Sequence, residues 1–377
     1  MPTNYIPFKD TNYFSDFICD YLAEKEELKE FYHRFPKLEN FEAQIKEKGL
    51  SVRAQSRTIL AETLKQQYKN IATSELTAEH IERLNLENTF TITTGHQLNL
   101  FTGPLYFLYK IISTINLAKQ LQIAYPEYNF VPMYWMASED HDFEEINYFN
   151  FKGKKIQWNS EQTGAVGHFN TEGLDEVFDV ISLEFGGGKN AEQLKTWFKE
   201  GYLKHHNLAD ATRYLANALF EAHGLVIIDA DDRELKRLFI PQMKQEMLEQ
   251  TAFKTVSETN KKLEDLELKI QVNPREINLF YIKDGLRERI VESDGVYSVL
   301  DTDISWSKSE LLDHLDEFPE RFSPNVIMRP LYQEVILPNL CYIGGGGEMI
   351  YWLQLKSNFE AQNVTFPMLL LRNSALI

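Results

Sequence analysis

The sequence contains few cysteines and no long apolar segment. Its 377 residues include two cysteines, Cys19 and Cys341, and neither belongs to a C-x-x-C pair. A disulfide framework or a cysteine-rich zinc module is therefore not supported. The first residues lack the apolar stretch of a signal peptide, and no run reaches the length of a transmembrane helix. The sequence predicts a cytoplasmic protein.

Positive charge is also scarce. The chain has 39 Lys and Arg residues against 56 Asp and Glu residues, which gives a formal net charge of −17 at pH 7. Proteins that bind nucleic acids contact phosphates through clustered Lys and Arg, so this balance argues against a nucleic-acid partner. The same charge disfavours docking to an anionic membrane. A hydrophobic content of 43% is enough for a large core, in one large domain with insertions or in two to three domains.

The strongest structural signal lies between residues 89 and 142. Residues 89–94 alternate like a half-buried strand, whereas the apolar run 130–136 predicts a strand buried on both faces. Between them, Pro104 opens a predicted helix that continues to about Gln122. Strand, helix and strand in this order predict a parallel β-α-β unit with a right-handed crossover.

Two histidines follow the ends of these predicted strands. His96 follows the first strand and His141 the second, where Glu139, Asp140 and Asp142 surround it. Ligands of such sheets bind beyond the carboxyl ends of the strands, so we expect both histidines on one rim. Carboxylates around an imidazole can bind a cation, orient an ammonium group or supply a general base. A metal site is disfavoured, because no second set of His or Cys residues is obvious.

Two further features are open to more than one interpretation. Asp229 ends a third apolar run, so it either joins the rim or caps the next helix. Arg329 and Gln333 follow a predicted strand at 325–328 and are suited to binding a substrate carboxylate, because arginine binds carboxylates bidentately. The competing interpretation of Arg329 is an internal ion pair with Glu334.

A run of four glycines lies between a predicted strand and a predicted helix. Glycines let backbone N–H groups approach a ligand closely, and a helix N-terminus favours negative charge. The run therefore predicts a phosphate or nucleotide site, and the alternative is a simple tight turn. The spacing is not G-x-G-x-x-G, so a dinucleotide site is weakly supported. The four residues are Gly344, Gly345, Gly346 and Gly347.

Three blocks of sequence resemble the signatures of the BshC family, the cysteine-adding enzymes of bacillithiol biosynthesis. They occur in the order of the family, and the resemblance covers essentially the whole chain. The first block is TGHQ (94–97) with FTGPLY (101–106), and the second is WMASEDHDFEE (135–145). The third is RFSPNV (321–326), RPLYQE (329–334), YIGGGGE (342–348) and YW (351–352).

The resemblance implies an α/β fold with a Rossmann-like parallel-sheet core and two connecting insertions. The family continues into a C-terminal helical coiled coil that serves homodimerisation, and these 377 residues contain no counterpart. The chain is then either a truncated form or a shortened member, and its oligomeric state is open. The expected regions are a helical N-terminal region (1–88), the first half of the core (89–157), a helical insertion (158–222), a core strand (223–229), a second insertion of helices and a small antiparallel meander (230–320), and the second half of the core (321–377).

The resemblance also implies an activity. The expected enzyme is a ligase that adds L-cysteine to the amino group of glucosaminyl-malate and so forms bacillithiol. Amide formation from a free carboxylate is uphill, so we expect ATP-Mg as a co-substrate and no tightly bound cofactor. The expected catalytic residues are His96, Asp140, His141 and Asp142. The expected substrate-binding residues are Thr94, Gly95, Gln97, Gly103, Lys110, Glu139, Arg329, Gln333 and Glu348.

The TGHQ segment is similar, in addition, to the signature-histidine region of class I aminoacyl-tRNA synthetases. In those enzymes such a histidine helps to hold ATP phosphates, and an imidazole can stabilise charge that grows there in the transition state. Lys110, on the helix that follows, either adds positive charge to the rim or is simply solvated.

Two other classes of protein stay open at this point. One is a metal-assisted hydrolase that uses His96 and the carboxylates from Glu139 to Asp142, which a bound divalent metal would favour. The other is a non-catalytic protein that binds a sugar or a nucleotide, which an intact rim without turnover would favour. The fold alone does not distinguish the ligase, the hydrolase and the binding protein.

Overall fold

A computed structural model describes residues 5–375. Residues 1–4, in the predicted helical N-terminal region, and residues 376–377, at the end of the predicted core, lie outside this description. The strands are β1 (Thr89–His96), β2 (Asn129–Met136), β3 (Tyr148–Phe151), β4 (Lys154–Gln157), β5 (Val226–Asp229), β6 (Leu279–Lys283), β7 (Leu286–Ser293), β8 (Val296–Val299), β9 (Ser305–Ser307), β10 (Phe322–Pro324), β11 (Asn339–Gly344) and β12 (Met368–Leu371).

The α-helices alternate with these strands through much of the chain, and the N-terminal region before β1 is helical. They are α1 (Asp16–Leu22), α2 (Phe41–Ser51), α3 (Ala54–Gln67), α4 (Glu75–Arg83), α5 (Tyr106–Ala124), α6 (Phe143–Ile146), α7 (Leu174–Glu184), α8 (Lys189–Tyr202), α9 (Leu208–Phe220), α10 (Arg233–Arg237), α11 (Ile240–Glu249), α12 (Thr251–Asp265), α13 (Lys308–Glu317), α14 (Met328–Ile336), α15 (Gly346–Leu353) and α16 (Lys356–Ala361).

The core of the molecule is a parallel sheet in the order β12-β11-β1-β2-β5. Strand β1 pairs with β2 along its whole length, from Thr89 opposite Asn129 to His96 opposite Met136. Helix α5 connects the two strands, and it begins at Tyr106, two residues after the predicted Pro104. The α/β class and the parallel β-α-β unit are confirmed.

Strand β1 lies in the middle of this sheet and is buried on both faces. The prediction of a half-buried strand is therefore wrong. The alternating threonines do not face water, because their hydroxyl groups find partners inside the protein. Thr91 and Thr93 donate to Asn339 Oδ1 over 3.2 and 2.8 Å, and Thr94 donates to the carbonyl oxygen of Ile343 over 2.7 Å.

A second sheet is antiparallel, in the order β10-β6-β7-β8-β9. It contains the predicted meander and adds β9 and β10 to it. On β7, successive side chains point to opposite faces, so Arg287 and Arg289 share one face. Both insertions leave and rejoin the parallel sheet, whereas the exact limits of the predicted regions and the handedness of the crossover stay predictions.

The segment at 325–328 is not a strand, contrary to the prediction. The strand here is β10, which ends at Pro324 and pairs with β6. The side-chain oxygen of Asn325 then accepts hydrogen bonds from the N–H groups of Ile327 and Met328, at 2.9 and 3.2 Å. This turn starts α14, so Arg329 lies in the first turn of a helix.

The N-terminal helices pack against the core through buried polar contacts. Lys48 of α2 is 1% exposed and its Nζ lies 3.0 Å from Glu334 Oε2 on α14. Tyr21 of α1 donates its hydroxyl to the carbonyl oxygen of Leu369 on β12 over 2.7 Å. No helix within residues 5–375 is both long and apolar enough to cross a membrane.

Candidate functional site

A cavity of about 1040 Å³ opens at the carboxyl ends of the parallel strands. The chain passes from β1 to β2 and β5 on one side of the sheet, whereas β11 and β12 lie on the other side, so the strand order reverses between β1 and β11. Ligands of open α/β sheets bind at such a reversal. Gly95 and His96 at the end of β1 and Gly345 after β11 line the cavity. Its volume is at the upper end of the usual range for ligand pockets, roughly 300–1,000 Å³, and suits two reactants at once.

His96 lines this cavity and has one ring nitrogen without a partner among the described residues. The side chain is 7% exposed, and its Nδ1 lies 2.9 Å from the carbonyl oxygen of Gln97. A carbonyl only accepts, so Nδ1 carries the proton. The Nε2 atom is buried and has no hydrogen-bond partner among the described residues. Burial, and then the charge of Lys110, lower the pKa of His96 to about 4. The neutral ring therefore offers Nε2 as an acceptor, whereas donating to a phosphate would require a second proton that burial opposes.

We expect this histidine to make the stability of the protein depend on pH. Folding lowers the pKa of His96 from 6.5 to about 4, so between these values the unfolded chain binds a proton that the folded protein excludes. The free energy of unfolding should fall as pH decreases from 6.5 towards 4, by at most about 3 kcal/mol from this residue. Urea unfolding across this range should show a shallower slope for His96→Gln than for the wild type.

His168 provides a control of opposite sign. Its hydrogen bond to Asp231 raises the pKa of His168, so the folded state holds this proton more tightly than the unfolded state does. The stability from this residue is fully present below its unfolded pKa and is lost as pH rises through its folded pKa. His168→Gln should therefore lose stability mainly at low pH. If the free energy of unfolding depends on pH in the same way in His96→Gln and in the wild type, the pKa of His96 is not lowered by folding.

The acidic end of β2 is held by hydrogen bonds to its neighbours. Gln97 donates to Asp140 Oδ2 over 2.6 Å, and the His141 N–H donates to Asp140 Oδ1 over 2.7 Å. Burial opposes ionisation of Asp140, but the side chain of His141, the charge of Arg287 and these two bonds lower its pKa to about 2. Arg287 Nη1 lies 2.8 Å from His141 Nδ1, and an arginine only donates. Neutral His141 therefore carries its proton on Nε2 and can donate it to a ligand.

Glu139 lines the cavity and is positioned by a buried lysine. Lys236 Nζ lies 2.7 Å from Glu139 Oε1 and 2.6 Å from Asp231 Oδ1. Asp231 in turn contacts His168 Nε2 at 2.6 Å. Burial raises the pKa of Glu139 despite the charge of Lys236. The ion pair engages one carboxylate oxygen of Glu139, and the side chain borders the cavity, where its other oxygen suits an ammonium group.

The glycine-rich turn is occupied from within by Glu348. Its Oε2 accepts from the N–H of Gly345 at 2.8 Å, and its Oε1 accepts from the Tyr342 hydroxyl at 2.7 Å. Buried Lys110 lies 2.8 and 2.7 Å from the two oxygens, so the interpretation of Lys110 as a solvated lysine is wrong. The N-terminus of α15 is thus already capped by a carboxylate of its own helix. The phosphate site predicted for Gly345 and its neighbours stays a prediction, and its ligand would have to accommodate Glu348.

Arg329 has no carboxylate within 4.0 Å in the described part of the chain. The predicted alternative, a pair with Glu334, is wrong because Glu334 binds Lys48. Arg329 Nη1 instead donates to Gln333 Oε1 over 3.1 Å. The guanidinium group also lies 5.9, 5.7 and 5.9 Å from the ring centroids of Trp135, Tyr342 and Trp352. These neutral neighbours orient the group and leave its charge for a ligand.

Most of the predicted site residues come together around the cavity, and several do not. The predicted residues that line it are Gly95, His96, Gln97, Lys110, Glu139, Asp140, His141, Arg329, Gly345, Gly347 and Glu348. Those that do not line it are Thr94, Gly103, Asp142, Gln333, Gly344 and Gly346. Asp142 is exposed at the start of α6, and Gln333 is buried behind Arg329.

Asp229 follows neither interpretation drawn from the sequence. It is half-buried at the end of β5, where Ser138 donates a hydrogen bond to it, and it does not line the cavity. The helix cap is Asp232, whose Oδ1 accepts from the N–H groups of Glu234 and Leu235 at 2.8 and 3.0 Å. Asp229 therefore braces the end of β2 from behind.

Comparison with known proteins identifies the family. The family model for bacillithiol biosynthesis BshC, N-terminal Rossmann-like domain, matches residues 1–373. The chain belongs to the BshC family. A relative from Flavobacterium johnsoniae is 63% identical over the whole chain, which covers 71% of that protein, and one from Christiangramia forsetii is 61% identical with the same two coverages. One from Cytophaga hutchinsonii is 44% identical over 96% of the chain and 67% of its own length. Each is named "Putative cysteine ligase BshC".

In this BshC-family chain, four arginines of the cavity were not found from the sequence. Arg275, Arg287 and Arg289 come from the second insertion, and Arg372 follows β12. The sequence did contain a signal for Arg287 and Arg289. They are two residues apart on a predicted strand, so their side chains share one face of it. Arg372 follows the apolar run Met368–Leu371, which is one more strand end.

The side chains of the BshC-family site do not form an evident metal site. Within residues 5–375, no three or more His, Cys, Asp or Glu side chains are grouped so that they could hold an ion. Glu139 is engaged by Lys236, and Asp140 by Gln97 and His141. This arrangement gives the metal-assisted hydrolase alternative no ready set of ligands.

Proposed function

We propose that this chain carries the catalytic core of a cysteine ligase, which joins the carboxyl group of L-cysteine to the amino group of glucosaminyl-malate and so forms bacillithiol. Membership of the BshC family and the names of its relatives support ligation. The observation that carries the proposal is the pairing of a neutral His96, with a free Nε2, and cationic groups without carboxylate partners in one cavity.

The charges of the cavity match those of the two substrates. Glucosaminyl-malate carries the carboxylates of malate and an amine, whereas cysteine carries a carboxylate and an ammonium group. Arg329 presents a guanidinium fork that fits a carboxylate bidentately. Glu139 presents a carboxylate oxygen that fits an ammonium group. Both kinds of contact would hold the reacting amine and acid in one cavity, which lowers the entropic part of the barrier.

Activation by ATP completes the chemistry. A carboxylate oxygen of cysteine attacks the α-phosphorus of ATP, and pyrophosphate leaves. The amine of glucosaminyl-malate then attacks the acyl carbon, AMP leaves, and the amine gives up a proton. We assign the acceptance of that proton to His96 Nε2. The low pKa of His96 rises when anionic reactants bind nearby, because negative charge stabilises the imidazolium form.

The test is a reaction of the purified protein with L-cysteine, glucosaminyl-malate and ATP-Mg, followed by mass spectrometry. We expect bacillithiol and AMP in equal amounts, and neither without ATP. Bacillithiol without AMP would overturn the adenylation step and leave ligation standing. If neither this chain nor one extended to the length of its relatives forms bacillithiol, ligation itself is wrong.

A further inference from the structure

The arginines that line the cavity have no acidic partner, whereas most of the other arginines pair with a carboxylate. Five arginines line the cavity, and within residues 5–375 none of them has a carboxylate oxygen within 4.0 Å. The contrast matters because the chain carries 56 acidic side chains. The arginines outside the cavity that do pair with a carboxylate are Arg34, Arg83, Arg213, Arg233 and Arg237. The arginines that line it are Arg275, Arg287, Arg289, Arg329 and Arg372.

Three of the five belong to one wall, formed by the second insertion. Arg287 and Arg289 lie on the same face of β7, and Arg275 lies just before β6. Arg329 and Arg372 instead belong to α14 and to the end of β12, in the core. The cavity thus has a cationic wall from the antiparallel sheet in addition to the cationic groups of the parallel sheet.

The contacts of this wall hold its charges without neutralising them. Arg287 donates to Ser323 Oγ over 3.3 Å and to His141, and its Cζ lies 4.0 Å from the ring centroid of Phe280. The Nε of Arg289 is buried and has no hydrogen-bond partner among the described residues. A buried donor without a partner is costly, and it is satisfied when a ligand supplies an acceptor.

We propose that Arg275, Arg287 and Arg289 form an oxyanion subsite, which binds a phosphate or carboxylate group of a ligand. The guanidinium fork matches the oxygens of both groups. Positive charges that share one wall also repel each other, and a bound anion relieves this repulsion. The cavity volume of about 1040 Å³ allows this subsite and the Arg329 side to be occupied together. The subsite goes beyond the proposed function, since it concerns binding and not turnover.

Ligand binding at the subsite would also affect His141, in the acidic segment that follows β2. Arg287 donates to His141 Nδ1 at 2.8 Å, and this contact fixes the proton of neutral His141 on Nε2. A ligand that draws Arg287 towards itself weakens this contact, and the proton of neutral His141 is then no longer confined to Nε2. The subsite therefore connects the antiparallel sheet to the rim of the parallel sheet through one hydrogen bond.

The test is isothermal titration of the intact chain with two probes, pyrophosphate and L-malate, without ATP or cysteine. We expect Arg289→Gln and Arg275→Gln to weaken binding of at least one probe by about tenfold, which one charge-assisted contact is worth. A loss confined to pyrophosphate identifies a phosphate group as the ligand, and a loss confined to malate identifies a carboxylate. Arg289→Lys should retain part of the affinity, because it keeps the charge.

Arg53→Gln is the matched control, because Arg53 is exposed, has no acidic partner in the described residues and does not line the cavity. It should bind both probes like the wild type. Arg275 is exposed, so its variant should fold even if Arg289→Gln does not. If both glutamine variants bind both probes as tightly as the wild type, or the wild type binds neither probe, the subsite is wrong. The ligase proposal is untouched by either result, since no ligation is measured.

Discussion

Replacing His96 with glutamine is expected to lower the turnover rate of bacillithiol formation by about 100-fold or more, the usual contribution of a general base. His96 lines the cavity, and its Nε2 is a buried acceptor without a hydrogen-bond partner in the described part of the chain. The measurement is kcat and KM for glucosaminyl-malate in the ATP-dependent assay. Because the proton moves in the transition state, kcat should fall much more than KM rises.

His206→Gln is the control for this substitution, since His206 is exposed and does not line the cavity. Its kcat should equal that of the wild type. The pH profile gives a further check, because the wild-type rate should decrease at acidic pH as His96 takes up a proton, whereas the residual rate of His96→Gln should not follow that titration. A His96→Gln enzyme with wild-type kcat would show that another group takes the proton.

Replacing Lys236 with methionine is expected to destabilise the protein by about 3–5 kcal/mol, the usual cost of removing one partner of a buried ion pair. Lys236 is 1% exposed and bridges Glu139 and Asp231, so the variant leaves two carboxylates close together without a cation. Urea unfolding at pH 7 measures the effect. Adding Asp231→Asn should recover part of the lost stability, because it removes one uncompensated charge.

Lys48→Met provides the matched comparison. Lys48 forms an equally buried pair with Glu334, away from the cavity, so a similar loss of stability is expected. Only the Lys236 variant should also raise KM, because only Lys236 holds a side chain that lines the cavity. If the free energy of unfolding of Lys236→Met lies within about 1 kcal/mol of the wild-type value, the Lys236 ion pairs do not stabilise the protein as their geometry indicates.

The sequence was informative where a local pattern determines the structure. The alternation at 89–94, the proline at the start of the next helix and the apolar run at 130–136 were sufficient to predict the parallel β-α-β unit. The same unit placed His96 and His141 at neighbouring strand ends, and both line the cavity. These inferences depend only on the periods of strands and helices and on the rule that ligands bind at strand ends.

Short-range sequence patterns did not predict the features that depend on residues close in space but distant in sequence. The apolar residues after Asn325 fit a strand or a helix equally well, and the side-chain bonds of Asn325 decide for a helix. The burial of Lys236 depends on two acidic groups distant in sequence from each other, Glu139 and Asp231. Likewise, no periodicity shows that Arg287 and Arg289 would meet the carboxyl end of β1 across a cavity. Such contacts follow from the packing of two sheets, which local preferences do not specify.

The unpaired arginines of the cavity have a practical consequence for the choice of buffer. Five guanidinium groups in one concave space would attract small anions from the solution. Sulfate or phosphate salts would then occupy the cavity, compete with the substrates and raise the melting temperature by mass action. Affinities measured at the same pH and ionic strength would therefore differ between chloride and sulfate buffers, and weakly coordinating anions would interfere least with the measurement.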